Sequence, residues 1–198
     1  MRTIRSILLI MTVVMAVACQ PSEWSETERK IINEQGEVMR VLTVYNGEDS
    51  LVLRSKCSLI SNQELKSSEY NTLAEKMVST VTSPEQDGVG IAGPQVGILR
   101  RIVAVQRFDK EGFPFEVYPN VKVVNHAGEK KIGGEGCLSI PGRHGNVARY
   151  QEISITYTSV KTFNDTTEHI KGFTAVIFQH ECDHLDGILY TDYLEGLN

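Results

Sequence analysis

His180-Glu181-Cys182-Asp183-His184 is the stretch on which the reading of this chain turns. On a helix, residues four apart point the same way, so His180 and His184 can grip one ion through their imidazoles. Glu181 lies about 100° round the helix, close enough to reach a metal-bound water without occupying a coordination position. The residues before the motif support a helix from Gly172 or Phe173 to about Leu185. Phe173, Val176, Ile177, His180 and His184 share one broad side of it.

Two histidines do not complete a catalytic site, which needs a third protein ligand and one open position. In the zinc-peptidase pattern the third ligand is a histidine six residues on, where this chain has Tyr190. Glu195 is poorly spaced for the role. Cys137, in Glu135-Gly136-Cys137-Leu138-Ser139, is the better candidate: glycine permits a close turn, and a thiolate binds zinc or ferrous iron strongly. The bland alternative makes Cys137 a small buried hydrophobe and the histidines unrelated.

Working outward, Leu65, Leu73, Met77 and Val81 recur near helical spacing and predict an amphipathic helix over 62–82, with Asn62 as its cap and Pro84 beyond its end. Val41 to Tyr45 and Leu51 to Leu53 favour strands separated by a turn at Asn46-Gly47-Glu48-Asp49. Arg101 to Gln106, Phe115 to Val124 and Glu152 to Thr158 are further strand candidates. Gly133 to Gly145 reads as a glycine-heavy loop. Strands with one helix early and one late give an α+β fold, with mixed antiparallel strands around a C-terminal metal-binding helix.

The length suits one core. Hydrophobic residues at 41% and charged residues at 23% describe a globular body. Residues 1–18 stand apart: Arg2 and Arg5 precede an apolar run ending Ala16-Val17-Ala18-Cys19. This resembles the signal of bacterial lipoproteins, although Ala16 stands where leucine is usual. The resemblance implies lipidation of Cys19 after cleavage, and hence an envelope protein held on a membrane at its periplasmic side or outer surface. Residues 19–35 read as a polar tether, and 36–198 as a single catalytic domain. Loss of the two arginines takes the formal charge from −5 to −7. A diffuse acidic balance argues against nucleic acid as a partner, and a monomer is expected. Cys57 and Cys182 remain as a possible disulfide.

Three segments together resemble the motifs of peptide deformylases. They are Gly88-Val89-Gly90-Ile91-Ala92-Gly93-Pro94-Gln95, Glu135 to Ser139, and Gln179 to Leu185. The resemblance runs from roughly Leu53 to Tyr193. It implies a deformylase-like fold and removal of the N-formyl group from formyl-methionyl peptides. It also implies one divalent ion on Cys137, His180 and His184, natively Fe2+, with Zn2+ or Ni2+ as substitutes. Glu181 becomes the general acid/base, and Gln95 with the Leu138 backbone N–H polarises the formyl oxygen. Val89, Gly90, Phe173 and Ile177 surround the methionine-type side chain; from the residues alone, Phe173 and Ile177 could equally be core. The chemistry agrees, because coordination lowers the pKa of water toward neutrality and a carboxylate can shuttle the proton.

Some positions depart from that pattern. Gly93 replaces the usual second alanine, which predicts a more mobile loop, and His144 falls where many members carry an arginine, with Arg143 adjacent. Two further readings stay open. One is hydrolysis of another short N-acyl or amide bond; the other is an exported lipoprotein that binds formyl-peptides with little turnover.

Overall fold

A computed structural model describes residues 23–195. Two antiparallel three-stranded sheets bracket one buried helix. The first sheet has the order β1-β2-β3, from β1 (Gly90–Ala92), β2 (Ile102–Gln106) and β3 (Phe115–Pro119). The second has the order β4-β5-β6, from β4 (Lys122–Gly136), β5 (His144–Thr158) and β6 (Asp165–Lys171). Among the described residues four α-helices precede them: α1 (Glu26–Ile32), α2 (Gly47–Leu53), α3 (Asn62–Leu65) and α4 (Ser68–Val81). The motif helix, α5 (Gly172–Leu185), follows the second sheet, and α6 (Asp192–Glu195) comes after it.

The α+β expectation holds, and α5 has the predicted bounds. Buried residues lie all round it, from Thr174 and Ala175 to His184 and Leu185, as expected of a helix enclosed on every side. One apolar cluster joins α5 to both sheets through Val103, Val105, Tyr118, Ile153, Ile155, Ile170 and Phe178. A second cluster packs α1 and α4 against β1 and β2 through Ile32, Leu73, Met77, Val81, Ile91 and Ile102.

Several local expectations are corrected. The strand foreseen at 51–53 is helical because Asn46 caps α2, its Oδ1 accepting from the N–H groups of Glu48 (2.9 Å) and Asp49 (3.1 Å). Leu53 is then buried while Leu51 stays 73% exposed, which a two-residue alternation would not give. The helix foreseen over 62–82 is broken into α3 and α4. Ser61, not Asn62, begins it through a capping box with Glu64, and Ser67 caps the second segment at Tyr70. The glycine-heavy loop is mostly strand. Gly133 to Gly136 pair with Val147 to His144, leaving only 137–143 as the connection. β6 escapes sequence detection because Ile170 is its single buried residue.

The tether expected over 19–35 is packed in its described part. Trp24 and Ile32 lie in the core, and the Trp24 indole donates to Ser67 Oγ at 3.0 Å. Glu28 closes a capping box with Ser25 and also accepts from Arg100 Nε at 2.7 Å.

The membrane expectation is corrected for the described residues. None of their helices is long and apolar enough to cross a membrane. The longest, α4 and α5, have 14 residues, about 21 Å at 1.5 Å per residue against roughly 30 Å of hydrocarbon. The signal segment and Cys19 lie outside the described residues.

Gly93 is buried, and its place in the turn after β1 is set by close backbone packing rather than mobility. A Cβ there would sit 2.7 Å from the carbonyl oxygens of both Ile98 and Arg100. Gly93→Ala is expected to cost about 1–3 kcal/mol. A thermal melt should show Tm lowered by roughly 2–4 °C per kcal/mol; an unchanged Tm would mean that the turn opens freely.

Candidate metal centre

α5 supplies two of three converging ligands. His180 and His184 stand one turn apart with ring centroids at 5.1 Å. Cys137 is the first residue past β4, where the chain leaves the β4-β5 ladder, and Ile140 N–H returns to the Cys137 carbonyl at 2.9 Å to tighten the connection. Its Sγ lies 3.2 Å from His184 Nε2. One donor atom from each of Cys137, His180 and His184 falls within 4.8 Å of the others. A soft thiolate and two imidazoles closing on one point fit a single divalent ion of the zinc or ferrous class with a position left over.

The ligands are held from behind. His180 Nδ1 is 2.8 Å from Glu135 Oε2, which turns Nε2 toward the centre. Glu135 also accepts from Arg149 Nε (2.7 Å) and Nη2 (3.1 Å). Arg149 Nη1 reaches Asp183 Oδ2 on α5 at 2.6 Å, and the Tyr193 hydroxyl donates to the same oxygen at 2.9 Å. Burial alone would raise the Glu135 carboxyl, but hydrogen bonds from His180 and Arg149 outweigh it and hold it down at about 2. Burial keeps His184 well below its ordinary value, so its ring is a neutral ligand. On His180, burial is outweighed by Cys137 and Glu135, which favour a proton that a bound cation would displace. Tyr190, at the place of a third histidine in zinc peptidases, instead stacks on His180 at 6.1 Å and 23°.

Glu181 is the unused acid. It is 4% exposed, and its Oε2 has no hydrogen-bond partner among the described residues. Burial pushes its carboxyl up to about 7. Gly90 is what makes room for it, since a Cβ there would lie 2.5 Å from Glu181 Oε1 and 2.8 Å from Ile177 Cγ2. Gln95 approaches from the first sheet. Its Oε1 accepts from Ala92 N–H at 2.9 Å, which turns Nε2 toward Ser139 Oγ (3.2 Å) and Cys137 Sγ (3.6 Å).

A cleft of about 330 Å³ brings these groups together. Val89, Gly90, Gln95, Cys137, Leu138, Phe173, Ile177, His180 and Glu181 all line it, as does His144. Ile177 is also core, at 4% exposed, whereas Phe173 stands at the rim, 54% exposed. Cys57 and Cys182 are free thiols on the far side of α5, in its apolar cluster. Sequence reasoning missed Asp183, Tyr193 and Ser139. The position of Asp183 three residues after His180 was the available signal, because it turns the carboxylate toward the same flank of the helix.

Residues 39–198 match the family described as polypeptide deformylase. Peptide deformylase 1 of Clostridium perfringens is 40% identical over 147 residues, 73% of this chain and 92% of its own length. The crystal structure of a class I type b peptide deformylase from Acinetobacter baumannii with Met-Ala-Ser bound superposes with a TM-score of 0.69 at 33% identity. That match covers 79% of this chain and 98% of the other. Peptide deformylase from Thermotoga maritima gives a TM-score of 0.68 at 28% identity, over 79% of this chain and 97% of its own.

Glu135→Gln removes the charge that orients His180 while leaving all three ligands in place. Affinity for Zn2+ should fall about 10–100-fold in a chelator competition. Affinity equal to that of the wild type would show that the ligands orient themselves without Glu135.

Proposed function

Because the chain belongs to the peptide deformylase family, a family of metal-dependent hydrolases, we propose that its own residues divide the deformylation of formyl-methionyl peptides as follows. The observation that carries this reading is Glu181: a buried carboxylate with an unpaired oxygen, lining one cleft with Cys137 and His180, while His184 closes on Cys137 from behind.

A divalent ion on the three ligands supplies Lewis acidity and lowers the pKa of water. Glu181 takes the proton of the attacking water and returns one to the departing amine, so the products are formate and a free α-amino group. The Gln95 side-chain amide and the Leu138 backbone N–H receive the formyl oxygen as negative charge develops on it. Gln95 is ready for this because its own carbonyl is tied to Ala92 N–H, which leaves only its N–H groups facing the cleft.

The peptide adds as an extended strand along the outer edge of β1, which is a sheet edge beside the cleft. Its first side chain enters between Val89, Gly90, Phe173 and Ile177. Close crowding of Gly90, Ile177 and Glu181 favours a formyl over an acetyl group.

Turnover by iron-loaded protein, kept free of oxygen, tests the assignment with formyl-Met and matched acetyl-Met peptides. Formate should be released from the first, with acetyl peptides poor substrates. Glu181→Gln should keep its metal and lose about 10²–10⁴-fold in kcat; full activity in that variant would remove Glu181 from the mechanism. A formyl-Gly peptide should lose kcat/KM by well over the ~1–3 kcal/mol attached to one methylene. Equal efficiency with formyl-Met would place the side chain outside this pocket.

A further inference from the structure

A second flank of α5, apart from the catalytic cleft, borders another cavity. Gln179, Cys182, Asp183 and Asp186 recur along it at steps of three and four residues, a stripe separate from the one that carries His180 and His184. Together with β4 and β5 they enclose about 380 Å³, a volume in the range of small-molecule sites. The deformylation chemistry makes no use of this space.

Charge is distributed unevenly round it. Both acids on the stripe are already matched, Asp183 by Arg149 Nη1 at 2.6 Å and Asp186 by Arg101 Nη1 at 2.7 Å. Lys122 and Lys130 of β4 also line the cavity, and neither has an ion-pair partner among the described residues. Lys131, next along the strand but outside the lining, is paired with Glu129 at 3.0 Å. The cavity therefore holds an excess of positive charge in a chain whose formal net charge is −5.

The two lysines are not equivalent. Lys122 pairs with Thr156 and Lys130 with Tyr150 across the β4-β5 ladder, which separates them by about 20 Å along the strand. Only Lys130 stands beside aromatic surface. Its ammonium lies 4.8 Å from the centroid of the Tyr150 ring, and the His126 ring lies 4.8 Å from the same ring with a 41° tilt. The backbone under Tyr150 is fixed to α5, because Gln179 bonds both its N–H (3.1 Å) and its carbonyl (2.8 Å).

We propose that this cavity binds a small aromatic carboxylate, its ring against Tyr150 and His126 and its carboxylate on the Lys130 ammonium. Val123, Ala148 and Cys182 supply apolar wall for the ring. Lys130 offers three donors to an acid that the protein does not itself provide. An aliphatic anion would leave the aromatic platform uncovered, and a neutral ring would leave the ammonium unmatched. The site goes beyond the deformylase reading and stands whether or not formyl-peptides are cleaved.

Calorimetry on the zinc-loaded protein with benzoate, benzamide and acetate tests it. Benzoate should bind at millimolar concentrations, with benzamide and acetate each about 10-fold weaker. Lys130→Gln should weaken benzoate about 10-fold and Lys130→Arg should restore it. Lys122→Gln should change it less than about 2-fold, because solvent ions screen a charge that far away. Equal losses in the two glutamine variants would mean attraction to surface charge at large. Undiminished binding to Lys130→Gln would place benzoate elsewhere, the metal included. Either result overturns the proposal, as does acetate or benzamide binding as well as benzoate, or benzoate failing to bind at millimolar concentrations.

Discussion

Arg149 is 5% exposed, and its guanidinium is divided between Glu135 at the end of β4 and Asp183 on α5, with Arg149 itself on β5. Three elements distant in sequence are joined through one buried cation. Glu135 passes the constraint to His180, so the ring's direction depends on where β4 ends and how α5 is turned. Such a web contributes little net stability compared with apolar packing, yet losing one member leaves a buried charge uncompensated, at a cost of about 3–5 kcal/mol. Its consequence here is geometric. The ladder between β4 and β5 delivers Cys137 to a helix whose rotation is already set.

That rotation is set twice more. Gln179 Nε2 donates to the Tyr150 carbonyl at 2.8 Å and its Oε1 accepts from Tyr150 N–H at 3.1 Å, so a side chain of α5 closes on the β5 backbone in both directions. Phe178 packs edge-on against Tyr118 at 5.0 Å on the opposite flank. Cys182 and Cys57 add small apolar volume in the same cluster, and burial pushes both thiols up to about 12, which keeps them protonated and unreactive. His180 then faces the cleft and His184 faces Cys137, because the remaining faces of α5 are occupied.

Small residues on the first sheet complete the arrangement. Gly90 leaves the space that Glu181 fills, and Gly93 lets the turn carrying Gln95 pack against the carbonyls of Ile98 and Arg100. Behind that turn, Arg100 binds Glu28 and Glu64, which brings α1 and α3 onto the same support. Burial alone would raise the Glu28 carboxyl, but its bonds to Arg100 and Ser25 hold it below the ordinary value. The clamp is therefore present at neutral pH and is lost as pH falls through the lowered folded-state value.

The sequence by itself determined the motif helix, its two histidine ligands and the acid beside them. Those features rest on spacing within a few residues, and helical periodicity is a local property; Cys137, 43 positions before His180, was reached only through the resemblance of its own segment. It also determined the α+β class and the β2 strand, where apolar residues run together. It misassigned 51–53, since strand-favouring residues there yield to the Asn46 cap, and it left Gly133 to Gly136 as loop, since glycine carries no pattern to show that it pairs. The order of strands, the turning of Glu135 and Arg149 onto His180, and the aromatic row beyond Phe173 were decided only by the tertiary structure. The contacts of Arg149 with Glu135, of His180 with Glu135 and of Phe173 with Phe108 join residues 14 to more than 60 positions apart, and what brings such residues together is the burial of apolar faces shared among several elements, which no local stretch encodes.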